Sequence, residues 1–202
     1  MLYWIGFVLM KSFMKLYLNV QYINLDNLPK RGAYIIASNH TANIDPFVLG
    51  TSRVRYFSFF AKESLFKTKL SSWFFHELGA FPIKRNTSDF RAIREAFHRL
   101  EKGGPLILFP EGTRGLGDRV KKPQPGIGMI AVKSQVPVIP AYLENTDKIA
   151  KHGFGLFHKY PVKLHFGPPM HFNKDQDYRE ISSQIMDRIW DLSKTCPTLS
   201  NS

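Results

Sequence analysis

The sequence predicts an α/β fold, a single domain with a mainly parallel central sheet flanked by helices. Three observations predict it. Short apolar runs alternate with stretches of helical periodicity along the chain. The run Pro105-Leu106-Ile107-Leu108-Phe109 is apolar without interruption, as suits a strand buried on both faces. A length of 202 residues, 44% of them hydrophobic, suits one domain with a substantial core. No repeat, low-complexity tract or linker divides the chain.

The first 16 residues form a leading segment of their own. Nine apolar residues fall within the first ten, too few for a bilayer span, which takes about 20. The basic start and small-residue cleavage site of a signal peptide are absent. Leu2, Ile5, Leu9, Phe13 and Leu16 recur at helical spacing, backed by Lys11 and Lys15. Tyr3 and Trp4 are residue types that favour the headgroup zone. Residues 1–16 therefore read as an amphipathic helix lying on a membrane, or as a helix packed on the domain's own core. On different faces both can hold. The domain proper is expected over residues 17–202.

Within it, residues 17–24 read as a strand and 33–38 as another, ending at a histidine. Asp45-Pro46 is a helix start, with Asp as cap and Pro in the first turn. Residues 55–61 read as a strand, 71–78 as a helix stopped at Gly79, and 81–84 as a short strand. Trp73-Phe74-Phe75 in that helix suits core packing or a membrane-facing patch. Residues 88–102 form an amphipathic helix, with Phe90, Ile93, Ala96, Phe97 and Leu100 inward and Gly103-Gly104 as its stop. After the strand at 105–109 come a helix at 126–134, strands at 136–142 and 162–166, and a closing helix at 177–194.

His40 is followed five positions later by Asp45. A carboxylate one short loop away can hold one ring N–H and leave the other nitrogen to take a proton from a hydroxyl. Such a pair is a weak signal alone. About seventy residues on comes Phe109-Pro110-Glu111-Gly112-Thr113-Arg114. Active sites of open α/β sheets lie at the carboxyl ends of strands, and His40 and Glu111 each follow a predicted strand. Gly112 lets backbone N–H groups approach a ligand, and Arg114 offers a planar fork suited to phosphate. Lys62 and the pair Lys84-Arg85 end two further strands. Three strand ends that each deliver a cation suggest a phosphate pocket. Solvated surface charge is the plainer reading, strongest for Lys62 and Lys84.

With 28 Lys and Arg against 16 Asp and Glu, the net charge is +12. Such a chain is drawn to polyanions, either nucleic acid or an anionic membrane face. The single cysteine, Cys196, excludes an internal disulfide and fits a reducing compartment. Asn39-His40-Thr41 and Asn86-Thr87-Ser88 match the glycosylation sequon and read as coincidences. Gly126-Ile127-Gly128-Met129-Ile130-Ala131 fits a dinucleotide fingerprint but follows Lys-Lys-Pro-Gln-Pro and no strand, so it is set aside. No Walker loop or complete nucleophile elbow occurs. The histidines lack zinc-ligand spacing, so no metal is expected.

Together these segments resemble the glycerolipid acyltransferase superfamily, most closely the 1-acylglycerol-3-phosphate (lysophosphatidate) acyltransferases. Asn39 through Asp45 resembles the first of that family's four ordered blocks, the His-x4-Asp block. Gly79 through Arg85 resembles the second, Phe109 through Arg114 the third, and Val136-Pro137-Val138-Ile139-Pro140 the fourth. The resemblance covers residues 17–168 and implies an α/β domain. It also implies acyl transfer from acyl-CoA or acyl-carrier protein to the free hydroxyl of a lysophospholipid. His40 would then be the general base and Asp45 its orienting partner. Arg85, Arg114 and Lys62 would hold the acceptor phosphate. Glu111 would fix the acceptor or the loop, with Gly112 and Thr113 shaping the cradle. Residues 136–140 would support the acyl channel, though an ordinary core strand reads nearly as well. No cofactor is implied beyond the acyl-carrying co-substrate.

The expected partners are a lysophospholipid, the acyl donor and an anionic membrane surface. Many members carry longer N-terminal membrane helices; the shorter lead here implies peripheral or monotopic attachment to the cytoplasmic side of a membrane. A different acceptor, such as another lysolipid or glycerol 3-phosphate, is the near alternative. A basic nucleic-acid-binding domain would leave the His–Asp pair and Glu111 idle, so no nucleic acid is expected.

Overall fold

The uninterrupted apolar runs become the inner strands. In the computed structural model, residues 2–84, 89–113, 122–152 and 161–195 are described. Strand β2 (Ile35–Ser38) is buried at every residue and lies between β5 (Leu106–Leu108) and β6 (Val138–Glu144). The seven-stranded sheet is completed by β1 (Gln21–Ile23), β3 (Ser58–Lys62), β4 (Ala80–Ile83) and β7 (Lys163–Phe166), in the order β1-β7-β6-β2-β5-β3-β4. Strands β2 to β6 run parallel, while β7 is antiparallel to β6 and carries β1 parallel to itself. The mainly parallel sheet is thus as expected, with one reversed edge. The parallel set brings the ends of β2, β3, β4, β5 and β6 to one rim, where the chain leaves towards His40, Lys62, Lys84 and Glu111.

Helices cover both faces. On one side α1 (Leu2–Tyr17), α2 (Asp45–Gly50) and α3 (Lys69–Glu77) send Met14, Val48, Leu49 and Phe75 onto a core that includes Phe57 and Phe59. On the other, α4 (Phe90–Glu101), α5 (Pro125–Ser134) and α7 (Tyr178–Thr195) contribute Ala96, Leu100, Ile130, Ile181 and Ile185. A further helix, α6 (Thr146–His152), was not foreseen. Residues 136–140, the fourth block, lead into β6, whose Val138 and Ile139 are wholly buried.

Several expectations are corrected by local chemistry. The strand expected over 17–24 shrinks to three residues, because α1 runs through Tyr17 and Asn19 and Asn24 adopt left-handed backbone conformations (φ 45° and 57°). Asparagine tolerates that region better than most side chains, and both positions break an extended run. Phe90 was expected inward but is 75% exposed. Asp89 caps α4 by accepting from the N–H groups of Arg91 and Ala92, which places Phe90 on the first turn, away from the buried Ala92, Ala96 and Leu100. The face of α1 was left open; among its described side chains Phe7 and Met14 are buried, whereas Leu9, Phe13 and Leu16 of the apolar stripe face outward.

The glycine pattern near Gly128 serves helix packing. A Cβ there would lie 2.0 Å from the carbonyl oxygen of Tyr178 on α7, so only glycine permits the close approach. The Gly128 N–H donates to Ser182 Oγ at 3.1 Å across the same contact.

Candidate active site

Where β2 ends, side chains replace the ladder. Asn39 is buried, and its Nδ2 donates to the Leu143 carbonyl (3.0 Å) while its Oδ1 accepts from the Leu143 N–H (2.7 Å). The amide thus satisfies a backbone pair of β6 while the main chain turns away at His40. Thr41 Oγ1 meets Thr146 Oγ1 at 2.7 Å, a second tie to the segment after β6. The backbone N–H of His40 donates to Glu111 Oε1 at 3.3 Å, which joins the loop after β2 to the loop after β5.

Asp45 organises this loop from inside. It is wholly buried, and its Oδ2 accepts from His40 Nδ1 (2.8 Å), from the Thr41 N–H (2.7 Å) and from the Ala42 N–H (2.8 Å). Ile44 occupies the N-cap position of α2 and Asp45 is its first helical residue. The carboxylate therefore caps its own loop, and the expectation that it caps the helix is corrected. Its Oδ1 is buried without a hydrogen-bond partner among the described residues. With Nδ1–H committed to the carboxylate, the tautomer that satisfies the network leaves Nε2 as a free acceptor. The ring is stacked on Phe109, with centroids 4.0 Å apart and planes inclined by 20°. Asp45 thus sets the tautomer, Phe109 holds the plane of the ring, and Glu111 holds the His40 backbone.

The loop after β5 turns at Gly112, whose φ is +66° and whose N–H donates to the Phe109 carbonyl. A Cβ at Gly112 would stand 3.0 Å from Gln124 Cγ. Glu111 is 7% exposed, so it braces the histidine loop from a buried position. Thr113 follows, half-buried. Lys62 ends β3, exposed at the same rim. Lys84, after β4, lies 3.8 Å from Glu63. Its backbone N–H donates to Asp89 Oδ2, and this bond, with those from Ala92 and Arg91, holds the Asp89 carboxyl below its ordinary range. The expected phosphate ligands Arg85 and Arg114 lie outside the described residues, as does Cys196.

The structure thus joins His40, Asp45 and Glu111 by hydrogen bonds and sets Lys62, Gly112 and Thr113 on the same rim. Beside the histidine loop, an apolar groove of about 500 Å³ runs between α1 (Gly6, Leu9, Phe13) and Asn43, Ile44 and Phe47. Among the described residues no cluster of three or more His, Cys, Asp or Glu could hold a metal ion. The sequence reading missed the supporting residues Asn39, Thr146 and Phe109. Asn39 stood next to His40 in plain view, but its partner is 104 residues away and emerges only from the adjacency of β2 and β6.

A family model described as acyltransferase matches residues 19–144. The 1-acyl-sn-glycerol-3-phosphate acyltransferase of Bacillus subtilis is 31% identical over 153 residues, 75% of this chain and 74% of that protein. The enzyme of the same name from Streptococcus pneumoniae is 30% identical over 155 residues, 75% of this chain and 56% of its own length. The chloroplastic LPAT1 of Arabidopsis thaliana is 30% identical over 154 residues, 74% of this chain and 43% of that longer protein. The crystal structure of the 1-acyl-sn-glycerophosphate (LPA) acyltransferase PlsC from Thermotoga maritima matches with a TM-score of 0.73 and 28% identity, covering 94% of this chain and 80% of that one.

Proposed function

This chain belongs to the acyltransferase family, and we propose that it moves an acyl group from a thioester to the free hydroxyl of 1-acylglycerol 3-phosphate, giving phosphatidic acid. The observation that carries this reading is the buried 2.8 Å bond between His40 Nδ1 and Asp45 at the carboxyl rim of the sheet. The curated relatives named for this reaction support the choice of acceptor.

In the proposed mechanism, His40 Nε2 takes the hydroxyl proton as that oxygen attacks the thioester carbonyl. The buried Asp45 carboxylate stabilises the imidazolium so formed. Collapse of the tetrahedral intermediate breaks the C–S bond, and the imidazolium proton neutralises the departing thiolate of coenzyme A or acyl-carrier protein. No serine or cysteine nucleophile is required, and no cofactor besides the acyl carrier. Glu111 keeps the loop in register through the His40 N–H. Arg85 and Arg114, with Lys62, are assigned to the acceptor phosphate, for which guanidinium forks are the best-matched donors. The groove against α1 has the apolar lining and, at about 500 Å³, the size to take an acyl chain.

The lysolipid acceptor and the phosphatidic acid product reside in membranes, so the site must meet a bilayer. No described helix is long and apolar enough to cross a membrane. Attachment is proposed to be peripheral or monotopic, on the cytoplasmic side, through α1, whose outer face carries Trp4, Val8, Leu9, Phe13 and Leu16. The test is an acyltransfer assay of purified protein against 1-acylglycerol 3-phosphate, other lysophospholipids and glycerol 3-phosphate, each with both donors. Turnover is expected to be highest with 1-acylglycerol 3-phosphate; preference for an acceptor without phosphate would overturn the reading.

A further inference from the structure

Resting on the reading of a membrane-borne acceptor, we propose that α3 is a second membrane-contact element. Together with α1 it would seat the catalytic rim on an anionic lipid surface. The first support is where exposed apolar side chains lie. Of twelve large hydrophobic residues exposed among the described ones, nine belong to α1, the turn at Glu63–Phe66 and α3. The opposite layer of α4, α5 and α7 contributes one, Phe90 at the start of α4. Helices α1 and α3 pack inward on the same side of the sheet, so their outer faces belong to one layer.

The second support is the geometry of α3 itself. Leu70, Trp73 and Phe74 stand at helical spacings of three and four and are 74%, 50% and 51% exposed. Phe75 turns inward onto the core. The reciprocal capping box of Thr68 and Ser71 fixes the first turn without help from a partner. Phe74 meets the ring of Phe75 edge-on, yet it, Leu70 and Trp73 remain half or more exposed on a helix already held by its own cap and inner contact.

The third support is charge. Exposed Lys62, Lys67 and Lys69 surround the start of α3, with Glu63 as the nearby acid. Lys69 opens the helix, and no acidic residue occupies the first turn. A cation there opposes the helix dipole, so its placement favours something outside the helix. Aromatic residues flanked by lysines suit the headgroup zone of an anionic bilayer. The parallel order of β2, β5 and β3 puts the start of α3 just beyond the rim that carries His40.

The chain has three tryptophans, Trp4, Trp73 and Trp190. Two variants isolate the relevant ones: W4F/W190F retains Trp73, and W73F/W190F retains Trp4. Each is mixed with vesicles of equal parts phosphatidylglycerol and phosphatidylcholine, with and without brominated acyl chains. The expected result is a blue shift and bromine quenching of Trp73 comparable to those of Trp4. Quenching of Trp4 alone overturns the role of α3 and leaves membrane attachment standing; quenching of neither overturns both. In the otherwise unaltered chain, L70S/F74S should lower vesicle partition severalfold and leave turnover of a monomeric short-chain lysolipid unchanged. Unchanged partition, or a loss confined to turnover with acyl-carrier protein as donor, overturns the proposal in favour of no partner or of a carrier-protein dock.

Discussion

Replacing Asp45 by asparagine removes one charge from the site while keeping an oxygen where three donors need it. The amide oxygen can take the Oδ2 position and still accept from Thr41, Ala42 and His40. What disappears is the attraction between the carboxylate and the imidazolium formed when His40 takes a proton. For unit charges between the observed 2.8 Å and about 4 Å, at an effective dielectric of about 20, that attraction is about 4–6 kcal/mol. At 1.36 kcal/mol per decade, kcat should fall by about 10³–10⁴-fold. The new amide N–H₂ enters the buried space at Oδ1, where no described partner exists, so a stability loss of about 1–3 kcal/mol should accompany it. The assay is kcat at saturating donor and acceptor, with thermal unfolding measured in parallel to keep the assay below the transition. A fall of less than about tenfold in folded protein would refute the reasoning, since the charge would then contribute little to the transition state.

Other outcomes follow from the same structure. Gly128→Val should force α5 and α7 apart and lower the melting temperature by the equivalent of at least about 1–3 kcal/mol; an unchanged melting temperature would contradict the packing described. Burial pushes the His165 imidazole below its ordinary value of 6.5, against the opposing pull of Glu144. The unfolded chain then binds more protons below that value, so this contribution to stability is full above pH 6.5 and is lost as the pH falls. His165→Gln should flatten that slope in denaturation midpoints taken on either side of pH 6.5, and an unaltered slope would assign it to other groups. Arg114→Ala should raise the acceptor KM more than the donor KM; the reverse would mean that the two substrate positions are exchanged.

The parts of the fold that were legible in sequence are those whose signal is local. β5 is apolar without a break and β2 is so up to Ser38, α4 has an amphipathic period, and one short loop separates His40 from Asp45. The parts that were not legible depend on pairing. The tie from Asn39 to Leu143 requires β2 and β6 to be neighbours, which no spacing in the chain reveals. Stacking of Phe109 on His40 requires the loops after β2 and β5 to converge. On α1 the apolar period was real, but two apolar faces exist, and burial went to Phe7 and Met14. Hydrophobicity alone cannot say which of two faces meets the core. Trp73-Phe74-Phe75 posed the same ambiguity, and the helix divides it, with Phe75 inward and the other two outward.

The most direct test of His40 as the base is turnover of the His40→Ala variant with 1-acylglycerol 3-phosphate and a thioester donor. The proposed chemistry predicts an intact fold by circular dichroism and a rate lower by at least about 10²–10⁴-fold. Wild-type turnover in that variant would contradict it.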